Sequence, residues 1–308
     1  MPPDERLIER LRTGLGWQSA PPAERPALFI NPRSGDGKAA RAGLADHARR
    51  LGIEATVLEP EHDLAGLAAD AVRRGADVLG MAGGDGSLAV VAAAAWSGDL
   101  PFVCIPAGTR NHFALDVGVL RHHLIGALAA FTDGVERRVD IAEVNDRVFL
   151  NNVSLGVYGD AVQAPAYRGK KVRVLLDSAR AVLGPDAPAP GVAVTDDAGR
   201  EHHDPALVLV SNNPYALAGV APATRPRLDT GRLGVIVLER PGTRRARPDH
   251  VWTTPALRID APAIVDAALD GEAVRLDPPL RFAIRPLALR VRIPSRHPGM
   301  SPSGLRAS

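Results

Sequence analysis

The chain has 308 residues, of which 45% are hydrophobic and 23% are charged, values typical of a soluble globular protein long enough for two domains. Its 37 basic and 35 acidic residues leave a formal charge of +2, which disfavours a dedicated nucleic-acid binder. The acidic N-terminus and the lack of an apolar run of transmembrane length disfavour a secretory signal and a membrane-spanning helix. The single cysteine, Cys104, lies in an apolar run and cannot form an internal disulfide, so we expect a cytoplasmic protein.

The N-terminal half alternates strand-like and helix-like patterns. Residues 1–26 read as a helix followed by a Pro-rich linker, an extension outside the fold. From Ala27, apolar strands alternate with Ala- and Arg-rich helices, which predicts an open α/β domain with a parallel sheet over 27–137. The predicted elements are ALFIN, a helix over 38–51, EATVLE, a helix over 64–74, DVLGMA, a helix through 88–96, PFVCIP and a helix over about 122–132.

The pattern of apolar residues changes near residue 138. From there to 295 the apolar runs are short, rich in valine and separated by turn residues, except for one helical stretch over 168–183. This pattern predicts antiparallel strands of a β-sandwich domain. The remaining tail, 296–308, is predicted to be loosely docked.

Three turns of small residues each follow a predicted strand of the first domain and lead into a helix. Backbone N–H groups at such a turn can bind phosphate, and glycine lets the backbone approach it. One such turn is often only a tight connection, but three together favour a phosphate-binding site. The residues of these turns, to which the family resemblance given below assigns nucleotide binding, are Asn31, Pro32, Ser34, Gly35 and Lys38 in the first loop, Gly83, Gly84, Asp85, Gly86 and Ser87 in the second, and Gly108, Thr109 and Asn111 in the third.

The second loop carries an acid where phosphates are expected. Asp85 would repel a phosphate unless a cation lies between them, so it predicts a Mg²⁺ ion shared with the ligand. The loops lack the spacing of a Walker A motif, and no G-x-G-x-x-G follows a strand. P-loop ATPases and dinucleotide oxidoreductases are therefore disfavoured.

These loops, with a fourth motif in the second domain, resemble the catalytic domain of the diacylglycerol kinase family, which also includes sphingosine and ceramide kinases. The matching segments are Asn31–Gly35 (NPRSG), Gly83–Ser87 (GGDGS), Pro106–Ala114 (PAGTRNHFA) and Leu269–Glu272 (LDGE). The resemblance spans about 27–295. It implies an NAD-kinase-like, Rossmann-like nucleotide-binding domain followed by a β-sandwich domain, with ATP and Mg²⁺ in the cleft between them.

The resemblance also implies that Asp270 and Glu272 are catalytic, one of them accepting the proton of the attacking hydroxyl. Either residue can be that base at this stage. The two lie on either side of Gly271, so an extended backbone would point both at the cleft. Asp-Gly is equally a strong signal for an ordinary hairpin turn.

The chain departs from the family pattern at two acids. The third loop normally reads Asn-Asp-Phe-Ala, and here His112 replaces the acid; if the segment is helical, Asp116 can supply a carboxylate to the same face and join Asp85 as a metal ligand. Bacterial relatives often hold a structural Mg²⁺ at an Asp-Asp-Gly turn. Thr230 replaces one of those acids, so no second metal is predicted.

We expect a kinase that transfers the γ-phosphate of ATP to a lipid hydroxyl, such as that of diacylglycerol, giving phosphatidic acid. Basic and apolar residues over 166–183, and an arginine cluster over 240–247, suit peripheral contact with the inner membrane surface. The pairs His122–His123 and His202–His203 lack metal-ligand spacing and are interpreted as surface residues. The alternatives are an NAD-kinase-like enzyme with a soluble substrate and a regulatory protein that binds nucleotide without catalysis; the oligomeric state is not predicted.

Overall fold

The computed structural model describes residues 16–119, 124–156, 191–216, 225–239 and 250–296. The described chain forms two compact units, one from Met1–Val139 with Leu287–Ser308 and the other from Asp140–Pro286. The strands are β1 (Gln18–Ala20), β2 (Pro26–Ile30), β3 (Glu54–Val57), β4 (Val78–Gly83), β5 (Phe102–Pro106), β6 (Gly134–Val144), β7 (Arg147–Phe149), β8 (Asn152–Leu155), β9 (Ala193–Thr195), β10 (Glu201–His203), β11 (Leu207–Asn212), β12 (Leu233–Leu238), β13 (His250–Thr254), β14 (Ala256–Asp260), β15 (Val265–Leu269), β16 (Glu272–Leu276) and β17 (Leu280–Pro294).

Among the described residues, the helices all lie in the first unit. A 3₁₀ turn over Ser34–Gly37 precedes the first of them, and another over Leu128–Phe131 follows the last. The α-helices are α1 (Lys38–Arg41), α2 (Leu44–Arg50), α3 (Leu64–Arg73), α4 (Asp85–Ser97), α5 (His112–Asp116) and α6 (Leu124–Ala127).

The first unit is built on a parallel sheet. Its strand order is β17–β5–β4–β2–β3, in which β17 contributes only its C-terminal part. Strands β2, β4 and β5 are buried along their whole length, as continuous apolar runs in a parallel sheet should be. Because the chain goes from β2 to β3 on one side and then to β4 on the other, the order reverses between β2 and β4. In open α/β sheets this switch point, at the carboxyl ends of the strands, is where ligands bind.

The second unit contains two antiparallel sheets. One has the order β13–β12–β11–β8–β15–β16. The other includes β10–β9–β14, the N-terminal part of β17, and β7 with the C-terminal part of β6. Valine, leucine and phenylalanine side chains from both sheets form a single buried core. The predicted fold class, a Rossmann-like α/β domain with a separate antiparallel β domain, is confirmed.

The structure differs from the expected elements in a few places. The helix predicted over 38–51 is broken into α1 and α2 because Gly43 adopts the left-handed conformation, with φ of 59°. Residues 18–20, expected in a linker, form β1 and pair with β6. The C-terminal segment from Leu287 belongs to the first unit, whereas the sequence pattern assigns residues up to 295 to the second domain.

Candidate functional site

The three predicted loops meet at the carboxyl ends of β2, β4 and β5. A Cβ atom added to Gly35 would lie 2.3 Å from the backbone oxygen of Ala107, so the first and third loops are in direct backbone contact. A Cβ added to Gly108 would lie 2.6 Å from the Cα of Gly84, so the third loop also touches the second. Only glycine permits these approaches, because any side chain would collide with the neighbouring backbone. The three turns therefore form one cluster in the first unit.

Polar side chains tie the cluster together. Asn111 is fully buried; its Oδ1 accepts the N–H of Gly108 at 2.9 Å and its Nδ2 donates to the Gly108 carbonyl at 2.7 Å. Lys38 donates from Nζ to the same carbonyl at 3.2 Å, which joins the start of α1 to the third loop. Asn31 stays in the first loop, where its Oδ1 accepts the N–H of Arg33 at 3.0 Å. These contacts give Asn31, Lys38 and Asn111 roles in shaping the loops.

The second loop leaves room for a ligand at the N-terminus of α4. Gly84 is the N-cap of this thirteen-residue helix and has no side chain with which to cap it. A Cβ added to Gly84 would meet no atom within 4 Å. The first N–H groups of a helix lack intrahelical partners and attract anions, so this is the place in the cluster best suited to phosphate.

Asp85 is turned toward the third loop. Its carboxylate oxygens accept the N–H groups of His112 and Phe113 at 3.3 and 3.4 Å, and the residue is only 7% exposed. An acid at this end of α5 is favoured by the helix dipole. The side chain assigned to Mg²⁺ from the sequence thus also orients α5.

The segment from His112 to Asp116 is helical, as the assignment of Asp116 requires, because it forms α5. Asp116 is buried at 4% exposure, whereas His112 is exposed. Nearby Cys104 is buried in β5, and burial followed by the charge of Asp85 raises the pKa of its thiol well above the ordinary value. Cys104 is a core residue, as the sequence indicated.

Asp270 is held by the backbone of another segment of the second unit. One carboxylate oxygen accepts the N–H of Leu150 at 2.8 Å, and the other accepts those of Asn151 and Asn152 at 2.7 and 3.1 Å. The Asp270 N–H in turn donates to the Asn152 carbonyl at 2.9 Å. The carboxylate, 8% exposed, is therefore fixed in one position at the end of β15.

The expectation of an extended backbone at this motif is wrong. Asp270 and Gly271 have φ values of 50° and 86°, so both are left-handed and form the tight turn of the β15–β16 hairpin. Glu272 lies opposite Leu269 at the start of β16 and is exposed. The motif is thus a hairpin turn that also buries one acid and exposes the other.

Sequence reasoning missed the polar network behind Asp270. Arg225 is fully buried; it donates to the carbonyls of Leu150 and Asn212 and, at 2.7 Å, to Oδ1 of Asn151. The Nδ2 atom of Asn151 has no hydrogen-bond partner among the described residues. Arg225 is about 75 positions from Leu150 and Asn151 in the sequence, so no local pattern signals these contacts.

Thr230 fills the place of the family's second acid with a hydroxyl. Its Oγ1 and N–H donate to Oδ1 of Asn213 at 2.6 and 2.9 Å, and the next N–H, of Gly231, donates to Asp140 at 2.7 Å. This turn is closed by hydrogen bonds within the protein.

His202 is not the surface residue that the sequence suggested. Its Nε2 lies 3.1 Å from Oδ2 of Asp196 and its Nδ1 lies 2.6 Å from Oε1 of Glu239, with 3% of its side chain exposed. Its neighbour His203 is exposed, as expected. Burial raises the pKa of Asp196, but hydrogen bonds from the Arg200 N–H, from His202, from the Ala198 N–H and from the Arg200 side chain outweigh it and hold that pKa well below the usual range.

Acid should therefore destabilise the protein through Asp196. A depressed folded-state pKa stabilises the fold above the unfolded value of about 3.9 and loses that contribution as the pH falls. We expect the free energy of unfolding, measured by urea titration, to decrease below about pH 4. The decrease should be shallower in Asp196→Asn than in the original protein; equal pH slopes would contradict this.

Some expectations lie outside the described residues. They are residues 1–15 of the extension, the basic segment over 166–183, the arginine cluster over 240–247, His122–His123 and the tail from 297. Within the described part of the chain, no helix combines the length and apolar character needed to cross a membrane.

Comparison with known proteins agrees with the motifs. The sequence model of the diacylglycerol kinase catalytic domain matches residues 25–144. A Pseudomonas aeruginosa protein named "Probable lipid kinase YegS-like" is 30% identical over 298 residues, which cover 89% of this chain and 96% of that protein. A protein of Mycobacterium tuberculosis named "Diacylglycerol kinase" is 30% identical over 122 residues, or 38% of this chain and 40% of that protein.

Solved structures share the fold. The crystal structure of a diacylglycerol kinase from Bacillus anthracis strain Sterne superposes with a TM-score of 0.65, covering 87% of this chain and 96% of that one. The sequence identity is 19%, so this likeness concerns the fold.

Proposed function

The chain belongs to the diacylglycerol kinase catalytic-domain family, and from this premise we propose that it transfers the γ-phosphate of ATP to the hydroxyl of a lipid, with diacylglycerol the first candidate. The observation that carries the proposal is the backbone contact of three glycine-containing loops around the glycine N-cap of α4. The names of the relatives support the lipid acceptor, because they are lipid and diacylglycerol kinases.

The phosphates of ATP are assigned to the first unit. The first N–H groups of α4 lack intrahelical partners and follow Gly84, beside which a Cβ would meet open space among the described residues. Glycine-rich turns of this kind bind phosphate without a dedicated side chain. The contacts of Lys38 and Asn111 with Gly108 keep the third loop against the second. Thr109, exposed in the third loop, is assigned to contact with the bound nucleotide.

Mg²⁺ fits the acids of the first unit. Asp85 and Asp116 are buried carboxylates, one at the start of α4 and the other at the end of α5, and carboxylates are the protein ligands that Mg²⁺ prefers. These two residues would hold the ion, which would neutralise charge on the phosphates. Asp85 is already anchored by two N–H groups, so its carboxylate needs little reorganisation.

Asp270 is assigned as the group that orients the acceptor hydroxyl and takes its proton. As the hydroxyl oxygen forms its bond to the γ-phosphorus, the bond to the ADP oxygen breaks and the hydroxyl proton passes to a carboxylate. Phosphoryl transfer depends mainly on positioning, and three backbone N–H groups position Asp270. The exposed Glu272 is assigned to contact with metal or nucleotide.

The direct test is transfer of labelled γ-phosphate from ATP into a bacterial lipid extract in mixed micelles, with NAD as a soluble acceptor in a parallel reaction. We expect label in the organic phase and none in NAD. Label in NAD alone would indicate an NAD-kinase-like enzyme. Binding of ATP without any transfer would indicate a regulatory protein.

Gly84→Ala tests the assigned phosphate position in the same assay. The new methyl group meets no protein atom and the φ of −83° suits alanine, so the melting temperature should not fall. The methyl group would enter the space assigned to the ATP phosphates. We therefore expect the KM for ATP to rise at least about tenfold, equivalent to about 1.4 kcal/mol. An unchanged KM would place the phosphates elsewhere.

A further inference from the structure

A second cluster of ligating side chains lies in the β-sandwich unit, formed by residues that the proposed kinase reaction does not use. Asp196 and Asp197 lie in the turn between β9 and β10, and His250 begins β13. One ligand atom from each of the three lies within 4.8 Å of the others. Strands β9 and β13 belong to different sheets, so the cluster joins the two sheets of this unit.

The separations within the cluster are those of ligands around one ion. His250 Nε2 lies 3.2 Å from Asp196 Oδ2 and 3.1 Å from Asp197 Oδ1. Tetrahedral bonds of about 2.0 Å place neighbouring ligand atoms about 3.3 Å apart. A small shift of these side chains would therefore admit an ion.

Surrounding residues orient Asp196. Its carboxylate accepts the N–H groups of Ala198 and Arg200, both at 2.9 Å, which fixes the turn. His202 Nε2 contacts the same carboxylate, and Glu239 holds the other nitrogen of that ring. A ligating carboxylate that is itself held by hydrogen bonds from outer residues is common at metal sites.

In the present arrangement, the guanidinium group of Arg200 supplies the positive charge beside these ligands. Its Nε donates to Asp196 Oδ2 at 2.9 Å and its Nη2 to His250 Nδ1 at 3.1 Å. Because guanidinium only donates, Nδ1 is the acceptor here and Nε2 carries the hydrogen. The Arg200 side chain is 50% exposed, so it can turn into solvent and leave both acids and the imidazole to another positive charge.

We propose that Asp196, Asp197 and His250 bind a divalent transition-metal ion, with Zn²⁺ the best fit. One imidazole with two carboxylates is a ligand set that Zn²⁺ accepts, and the imidazole disfavours Mg²⁺. When the ion displaces Arg200, Nδ1 of His250 is free to take up a proton from solvent, Nε2 releases its own proton to solvent, and the ion binds Nε2. It links the β9–β10 turn to β13 and stabilises the unit independently of the kinase site.

The test is Zn²⁺ titration of the full chain, stripped with chelator and desalted, in excess Mg²⁺ without ATP. Calorimetry should show a Zn²⁺ site, and at a free Zn²⁺ concentration a hundredfold above Kd the melting temperature should rise by roughly 5 °C. His250→Asn and Asp197→Asn should each weaken binding at least about tenfold. Arg200→Gln should strengthen it roughly three- to tenfold, because it removes a nearby positive charge.

His203→Asn is the matched control, since this histidine neighbours His202 on β10 but is exposed and outside the cluster. It should bind Zn²⁺ like the original protein. The proposal is overturned if Zn²⁺ does not bind, if His250→Asn binds as tightly as the original protein, or if His203→Asn loses as much affinity as His250→Asn. It is also overturned if Arg200→Gln weakens binding. ATP is absent throughout, so failure here leaves the kinase proposal intact.

Discussion

Asp270→Asn is expected to lose both phosphate transfer and stability. Loss of the proton acceptor should lower kcat by roughly 10²- to 10⁴-fold. Both carboxylate oxygens of Asp270 accept backbone N–H groups, so either orientation of an asparagine places its NH₂ group against one of these donors. Leaving such a buried group unpaired costs about 1–3 kcal/mol, which urea unfolding would measure.

Two further substitutions separate chemistry from stability. Asp266→Asn lies on the same strand, where the carboxylate is exposed and 3.9 Å from Arg275, and should change neither the rate nor the unfolding free energy by a measurable amount. Glu272→Gln, at an exposed position, should leave stability within about 0.5 kcal/mol. If Glu272→Gln loses more activity than Asp270→Asn, the proton acceptor is Glu272 and our assignment is wrong.

The loop cluster of the first unit was predictable because it follows from the rules of parallel sheets. Gly35, Gly84 and Gly108 each follow a buried strand, and the carboxyl ends of neighbouring parallel strands meet at one edge. Their order in the sequence was therefore enough to place them together. The distances between the loops, and the way that Asp85 reaches the backbone of α5, depend on side-chain packing that no sequence pattern encodes.

The second unit was less predictable, for two physical reasons. The left-handed turn at Asp270 and Gly271 is the hairpin that an Asp-Gly pair signals, but the sequence left an extended backbone equally open. His202 and His203 lie on opposite faces of β10, one buried and one exposed, but a three-residue strand is too short for its alternation to be recognised. Arg225 meets its partners only through tertiary contacts, so nothing near it in the sequence predicts its burial.

Gly35→Ala is expected to disrupt the nucleotide site most strongly among the loop glycines. The residue has φ of 54°, so alanine is strained by roughly 1–2 kcal/mol. Its Cβ would also lie 2.3 Å from the carbonyl oxygen of Ala107, a backbone atom that cannot turn aside. The first and third loops must then separate, at a further cost of about 1–3 kcal/mol. We expect loss of ATP binding in a titration with the nucleotide and a lower midpoint in urea.

Gly52→Ala isolates the part of that effect that comes from loop contact. Gly52 has φ of 76°, so it carries a similar backbone strain, but an added Cβ would meet no atom within 4 Å. It should lose roughly 1–2 kcal/mol of stability and bind ATP as the original protein does. The difference between the two variants measures the contact between Gly35 and Ala107. Equal losses would mean that the loops tolerate separation and that their contact does not shape the nucleotide site.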